Sequence, residues 1–282
     1  MKKTAVLLLG LSIGALQSFG FVPPLTLVFK TCYEGRKPQP TETVFRHQVT
    51  LRTGEVLNIE EKLAEIGGKT YVTFRSPTYG EVGATWNRGL YAFGGDRKIS
   101  SKSQAFVSFF ALQSPDRFRD VLLDENFLRR DQFEQYRTGF VPQGDPATWD
   151  IKAGYIVHPL VFFSKAPAGF AIVAAGSDDL RARKAVFFDK EKMVVSRFEW
   201  REGNQITAWN FQNFKKVAGD GTYPFELSFA IEDKEVIKTA VVNRQYLKGK
   251  TRSQWLERFS NLSKNPLNPQ MEEALKLLLS YR

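Results

Sequence analysis

The feature that most constrains this chain is the alternation of apolar and polar residues on either side of two-residue turns. The clearest case is MVVSRFEWREGNQITAWNFQNF at 193–214, where a turn at Gly203-Asn204 would place Trp200 opposite Thr207. One face of that hairpin then carries four rings, those of Phe198, Trp200, Trp209 and Phe211. Such a face must be covered, because each buried side chain of this kind contributes roughly 1.5–3 kcal/mol.

The same alternation recurs along most of the chain. Gly67-Gly68 predicts a second hairpin, which sets Leu63 opposite Val72 and leaves Phe74 on the same face. Further predicted strands lie at 44–53, 56–66, 69–75, 81–86, 90–93, 155–165, 169–176, 184–190, 224–232 and 235–244. About ten mostly antiparallel strands of this kind favour one large curved antiparallel sheet.

Helical spacing interrupts the strands in two places. In 101–112 the rings of Phe106, Phe109 and Phe110 fall on one helical face, and Ser114-Pro115 is typical of a helix start. A further helix is expected near 131–136, followed by a loop at 141–150, and the pattern is helical again from Gln254. The fold class expected is therefore α+β, with helices on one side of the sheet.

The first twenty residues have the composition of a secretory signal. Lys2 and Lys3 precede the apolar run from Ala5 to Leu16, and small residues lie just before Phe21. We therefore expect a cleaved signal peptide at 1–20 and a periplasmic protein, with an uncleaved anchor as the alternative and secretion beyond the outer membrane left open. A single cysteine, Cys32, excludes a disulfide within the chain.

The net charge of +10 favours anionic lipids, envelope polymers or an acidic protein surface as partners, and we expect no nucleic acid. No enzyme signature stands out. The chain has two histidines, and His47 alternates with apolar residues, which is typical of a hydrogen-bonded core or edge histidine. We expect no catalytic residues, no metal site and no cofactor.

Two segments carry a resemblance to a known family. TYVTFRSPTYGEVGATWNRGLYAFGGDRKISSK at 70–102 and KAVFFDKEKMVVSRFEWREGNQITAWNFQNFKKV at 184–217 resemble the early strands and late hairpins of the LolA/LolB-like periplasmic carriers of outer-membrane lipoproteins. The resemblance implies an unclosed β-barrel whose concave side is covered by helices over an apolar cavity for acyl chains. It also suggests Arg75 as a lid contact, although Ser76 separates it from the proline that it precedes in the family.

Two covers for the aromatic face remain open at this stage: the chain's own helices, or a ligand's hydrocarbon in a groove. With the resemblance, we expect a lipid or lipoprotein carrier, monomeric, with a possible membrane-bound donor or acceptor. The alternative is an envelope protein of the same fold that binds a protein partner. The expected ligand-binding residues are Phe74, Trp86, Phe198, Trp200, Trp209, Phe211, Phe225, Leu227 and Phe229.

The expected domain organisation has three parts. A signal peptide at 1–20 precedes a carrier-like β-rich domain at 21–250, with a helical insert at about 103–140, and a helical tail follows at 251–282. The insert and the tail could serve either to dock a partner or to pack against the sheet.

Overall fold

The structure is a computed structural model that describes residues 24–282, apart from 38, 113, 129, 131–132, 135–154, 159–160, 165–168, 175–181, 190–191, 193 and 218–219. For 155–158, 161–164, 169–174 and 182–183 it describes the backbone alone. The predicted signal peptide lies outside the described residues, as do the loop at 141–150 and most of the helix near 131–136.

In the described part of the chain, fourteen strands form one antiparallel sheet. The strands are β1 Thr41–Thr50, β2 Val56–Ile66, β3 Lys69–Ser76, β4 Gly80–Asn87, β5 Leu90–Phe93, β6 Lys98–Ser100, β7 Tyr155–His158, β8 Val161–Ser164, β9 Gly169–Ala174, β10 Ala182–Asp189, β11 Val194–Glu202, β12 Gln205–Val217, β13 Gly221–Ile231 and β14 Lys234–Tyr246.

The spatial order runs from β6 down to β1, then from β14 down to β7, so β1 and β14 join the two halves. The strands at the two ends, β6 and β7, do not pair with each other in the described residues, and the sheet is therefore unclosed. The predicted α+β class with an open curved sheet is confirmed.

Both predicted hairpins have the expected register. Leu63 lies opposite Val72, and Phe198 lies opposite Trp209. The turn glycines provide the reason, since Gly67 and Gly203 each have a φ of 60°, which side chains with a Cβ rarely adopt.

Five helices are described: α1 Leu25–Cys32, α2 Ala105–Ala111, α3 Pro115–Asp124, α4 Gly249–Leu262 and α5 Pro269–Leu279. Helix α3 begins as predicted, with Ser114 as its N-cap. Four of the five helices, all except α4, bury their apolar side chains in one core with the concave face of the sheet, called the inner face below.

Helix α4 packs on the opposite, outer face, where its Phe259 contacts the Tyr71 ring at 4.9 Å. The chain therefore changes faces between α4 and α5. The crossing segment, 263–267, passes so close to Gly83 and Gly94 that a Cβ on Gly94 would lie 2.6 Å from the Ser263 carbonyl oxygen. Only glycine fits there. Leu267, the last residue of the crossing segment, is already buried in the inner core.

We predict that Gly94→Ala loosens the crossing segment, because the added methyl group has no room and overpacking costs roughly 1–3 kcal/mol. Limited proteolysis within 263–267 should become several-fold faster than in the wild type. The matched control is Gly95→Ala, whose methyl group would meet no atom within 4 Å. Its cost is confined to backbone strain, because the φ of 66° at this position is one that alanine rarely adopts. Equal cleavage rates in the two variants would contradict the close-approach explanation.

Candidate ligand site

The nine residues predicted to line a ligand site all contribute to the inner core. Seven of them are buried, and Trp86 and Phe225 are partly buried against the same core. The sequence prediction that these side chains share one side of the sheet therefore agrees with their placement.

Rings from outside the sheet cover this aromatic face. Phe106 of α2 has its ring centroid 4.7 Å from Trp209, and Phe109 lies 5.4 Å from Phe211. Phe127, which follows α3, lies 5.4 Å from the Trp200 ring.

The C-terminal segment covers the same face from the other side. Tyr281 lies 5.7 Å from Trp200 and 5.3 Å from Phe229. The Arg282 guanidinium stands 4.1 Å above the Phe106 ring. At these positions the expected groove is occupied by the protein's own side chains.

A buried network of charged groups crosses the inner face. His47 donates from Nε2 to the Glu61 carboxylate and accepts at Nδ1 from the Thr239 hydroxyl, each at 2.8 Å. Arg282 donates two hydrogen bonds to the same carboxylate, at 2.5 and 3.1 Å. All three charged or titratable side chains of this network are fully buried. The reading of His47 as a hydrogen-bonded core residue is confirmed.

The electrostatics of this network follow from its burial. Burial lowers the pKa of His47 below its usual 6.5, although the Glu61 carboxylate opposes this. Burial alone would raise the pKa of Glu61, but Arg282 and His47 together outweigh it and lower that pKa. The network at neutral pH is therefore an ion pair of Glu61 and Arg282 beside a neutral imidazole.

Sequence reasoning missed Glu61 and Arg282. Glu61 stands between the inward-facing Ile59 and Leu63 of β2. A carboxylate at a position that the alternation assigns to the core was the signal in the sequence that could have identified it. Nothing in the local pattern marks Arg282, because its partner lies 221 residues away in the sequence.

A second feature lies on the outer face. A groove of about 670 Å³ crosses β1–β3 and β12–β14, with both apolar and polar residues in its lining. Outward-facing residues that are opposite one another in the sheet form two rows along the groove. One row is Gln212, Glu226, Ala240, Arg46, Glu60 and Arg75, and the other is Ser228, Lys238, Gln48 and Asn58. Arg75, the predicted lid contact, is exposed here, on the face opposite to the inner-face helices.

The remaining features concern metal ligands, the cysteine and membrane-spanning helices. Among the residues that the structure describes, no three His, Cys, Asp or Glu side chains come together as a metal site. Cys32 is buried, and desolvation raises the pKa of its thiol to about 12. None of the described helices has the length and apolar character required to span a membrane.

No protein-family profile matches the sequence, and no curated protein matches it either. Solved structures match over most of the chain. A provisionally named outer membrane lipoprotein-sorting protein domain from Vibrio parahaemolyticus has 9% identity and a TM-score of 0.44, covering 84% of this chain and 97% of that one.

Two further structures are similar to the same degree. A LolA superfamily protein from Nitrosomonas europaea has 10% identity and a TM-score of 0.44, covering 82% of this chain and 97% of that one. A DUF1329 family protein from Desulfovibrio piger has 11% identity and a TM-score of 0.43, covering 86% and 100%. These similarities concern the fold alone.

We predict that the stability of the protein falls as the pH falls from about 7.5 to 5. Below the unfolded-state pKa of 6.5, the unfolded chain takes up a proton on His47 that the folded protein does not, so acid favours unfolding. Glu61 acts in the same direction at lower pH. Because its pKa is lowered in the folded protein, the stability that it contributes is complete above its usual pKa of 4.5 and is lost as the pH falls below that value. Urea unfolding at several pH values measures this.

The variant His47→Gln should flatten the pH dependence between pH 5 and 7, since glutamine keeps both hydrogen bonds without titrating. Arg46→Gln, at an exposed position on the outer face of the same strand, serves as the control and should keep the wild-type slope, because arginine does not titrate in this range. A wild-type protein equally stable at pH 5 and 7.5 would be inconsistent with a neutral buried His47.

Proposed function

We propose that this protein is an exported, periplasmic binding protein that shields the acyl chains of a lipid or lipoprotein on its inner aromatic face. One observation carries the proposal: rings on the sheet are covered by a seven-residue helix, α2, and by a C-terminal segment that reaches the inner face from outside. These two elements, 105–111 and 263–282, are together called the plug below. A ligand would bind by replacing the plug on the rings.

The energies of the α2 part of the plug and of a ligand are comparable. Three phenylalanines of α2, each worth roughly 1.5–3 kcal/mol when buried, contribute about 5–9 kcal/mol of cover. A saturated chain of about 16 carbons, at roughly 0.8 kcal/mol per buried CH₂, gains about 11 kcal/mol. Exchange of α2 alone for a ligand is therefore close to balanced, which a protein that must both bind and release its cargo requires. Displacing the C-terminal segment as well costs more, because it also breaks the buried Glu61–Arg282 pair.

This function involves no covalent chemistry. Transfer would depend on a difference in affinity between this face and an acceptor, so a membrane-bound donor or acceptor protein is the expected partner. Without Lys2 and Lys3 of the predicted signal peptide, 38 Lys and Arg face 30 Asp and Glu, and this net charge of +8 would bring such a carrier to anionic membrane surfaces.

A second candidate function rests on a different observation. At the described positions the rings of the inner face are covered by the protein's own side chains, while the outer face has a groove of about 670 Å³ lined in part by charged and amide residues, a size within the range of ligand sites. On that reading the interior stays closed, and the protein binds a polar segment of a partner protein in the outer groove. Binding of a fluorescent fatty acid to the purified protein separates the two, since only the carrier takes it up.

We predict opposite effects for a plug residue and a face residue on the affinity for that fatty acid. Tyr281→Ala weakens the competing cover and should tighten binding several-fold, whereas Trp200→Ala removes part of the apolar surface and should weaken it. Titration of the fluorescent fatty acid measures both.

The control is Trp255→Ala, which removes a tryptophan of α4 that packs against Tyr71 on the outer face. Its fatty-acid affinity should equal that of the wild type. If Tyr281→Ala and Trp200→Ala weaken binding to the same extent, Tyr281 is part of the site and not its competitor. A wild-type protein that binds no fatty acid would favour the second candidate.

A further inference from the structure

Two buried arginines lie together at the C-terminal end of α2. Arg36, in the turn after α1, and Arg244, in β14, are each more than nine-tenths buried. Their guanidinium carbons lie 4.1 and 4.0 Å from the centre of the Tyr223 ring. Arg36 also stacks on Tyr33, at 4.1 Å.

Both arginines hold the end of the helix. Arg36 donates from Nη1 to the Phe109 carbonyl at 2.5 Å, and Arg244 donates from Nη1 to the Phe110 carbonyl at 3.2 Å. The C-terminal carbonyls of a helix carry partial negative charge, so α2 acts as a weak anion for these two cations.

The cluster contains more positive charge and more donors than the protein satisfies. Asp220 accepts from Arg244 Nε at 2.6 Å and is the carboxylate that forms an ion pair with it. Buried polar atoms without any hydrogen-bond partner remain, namely Nε and Nη2 of Arg36, Nη2 of Arg244 and the hydroxyl of Tyr33. Unsatisfied buried donors on charged groups are costly, and such a concentration of them in one place needs an explanation.

We propose that Arg36 and Arg244 form a binding site for a phosphate group, supplied by a lipid head group or by free phosphate. Four unused donors at one place suit an anion with three or more oxygens, and guanidinium groups match phosphate in geometry and charge. Where the phosphate belongs to a lipid, the site rests on the proposed function. An acyl chain that displaces α2 would also remove the carbonyls of Phe109 and Phe110, which accept from Arg36 and Arg244, while Arg244 would keep its bonds to Thr43 and Asp220. One amphiphile could then replace the helix both on the rings and at the two arginines.

The experiment compares dodecyl phosphate, dodecanol and inorganic phosphate on the wild-type protein. We expect dodecyl phosphate to bind at least about tenfold more tightly than dodecanol, since only the phosphate forms charge-assisted hydrogen bonds. Arg36→Gln should remove most of this preference, while dodecanol should bind at least as tightly as to the wild type, because the variant also releases the Phe109 carbonyl of α2. The matched control, Arg46→Gln, changes an exposed outer-face arginine and should keep the preference.

The outcomes separate this inference from the proposed function and distinguish the two sources of phosphate. Equal wild-type affinity for dodecyl phosphate and dodecanol would overturn the phosphate site while leaving the acyl site intact. If neither alkyl compound binds, but inorganic phosphate raises the melting temperature in a way that requires Arg36, the phosphate site stands for free phosphate and the acyl proposal fails. The absence of all three effects would overturn both.

Discussion

The structure depends on one constraint, which is that the aromatic face of a large open sheet must be kept from water. Trp209 and its neighbouring rings are at most 3% exposed. Rings of the helices and the C-terminal segment exclude the solvent from them. The topology follows from this need. The chain crosses from the outer to the inner face past Gly83 and Gly94, which places α5 and the residues after it on the apolar surface.

Charged groups fix how this cover sits. Apolar contacts alone are not directional, whereas the pair of Glu61 and Arg282 allows one arrangement of the C-terminal segment, because a buried charge that loses its partner is strongly destabilising. At the other end of the cover, Arg36 and Arg244 bind the last carbonyls of α2. The cover is therefore held by hydrogen bonds at its ends and by rings in between.

Local patterns were predictable from the sequence, and long-range ones were not. The registers around Gly67 and Gly203, the N-cap at Ser114 and the shared face of Phe198 and Trp209 follow from alternation and turn chemistry, which involve residues close in the chain. What covers the rings is decided by contacts between distant segments, which periodicity cannot report. The placement of Arg75 on the outer face shows the same limit, since the resemblance that suggested a lid contact did not establish which face of β3 Arg75 would occupy.

The central claim is that the plug and an acyl ligand compete for the same rings. Hydrogen exchange of the backbone amides with and without a bound fatty acid tests this most directly. The account predicts faster exchange in α2 and α5 and unchanged or slower exchange in β11–β13 when the ligand is bound. Unchanged exchange in both helices at saturating ligand would contradict it.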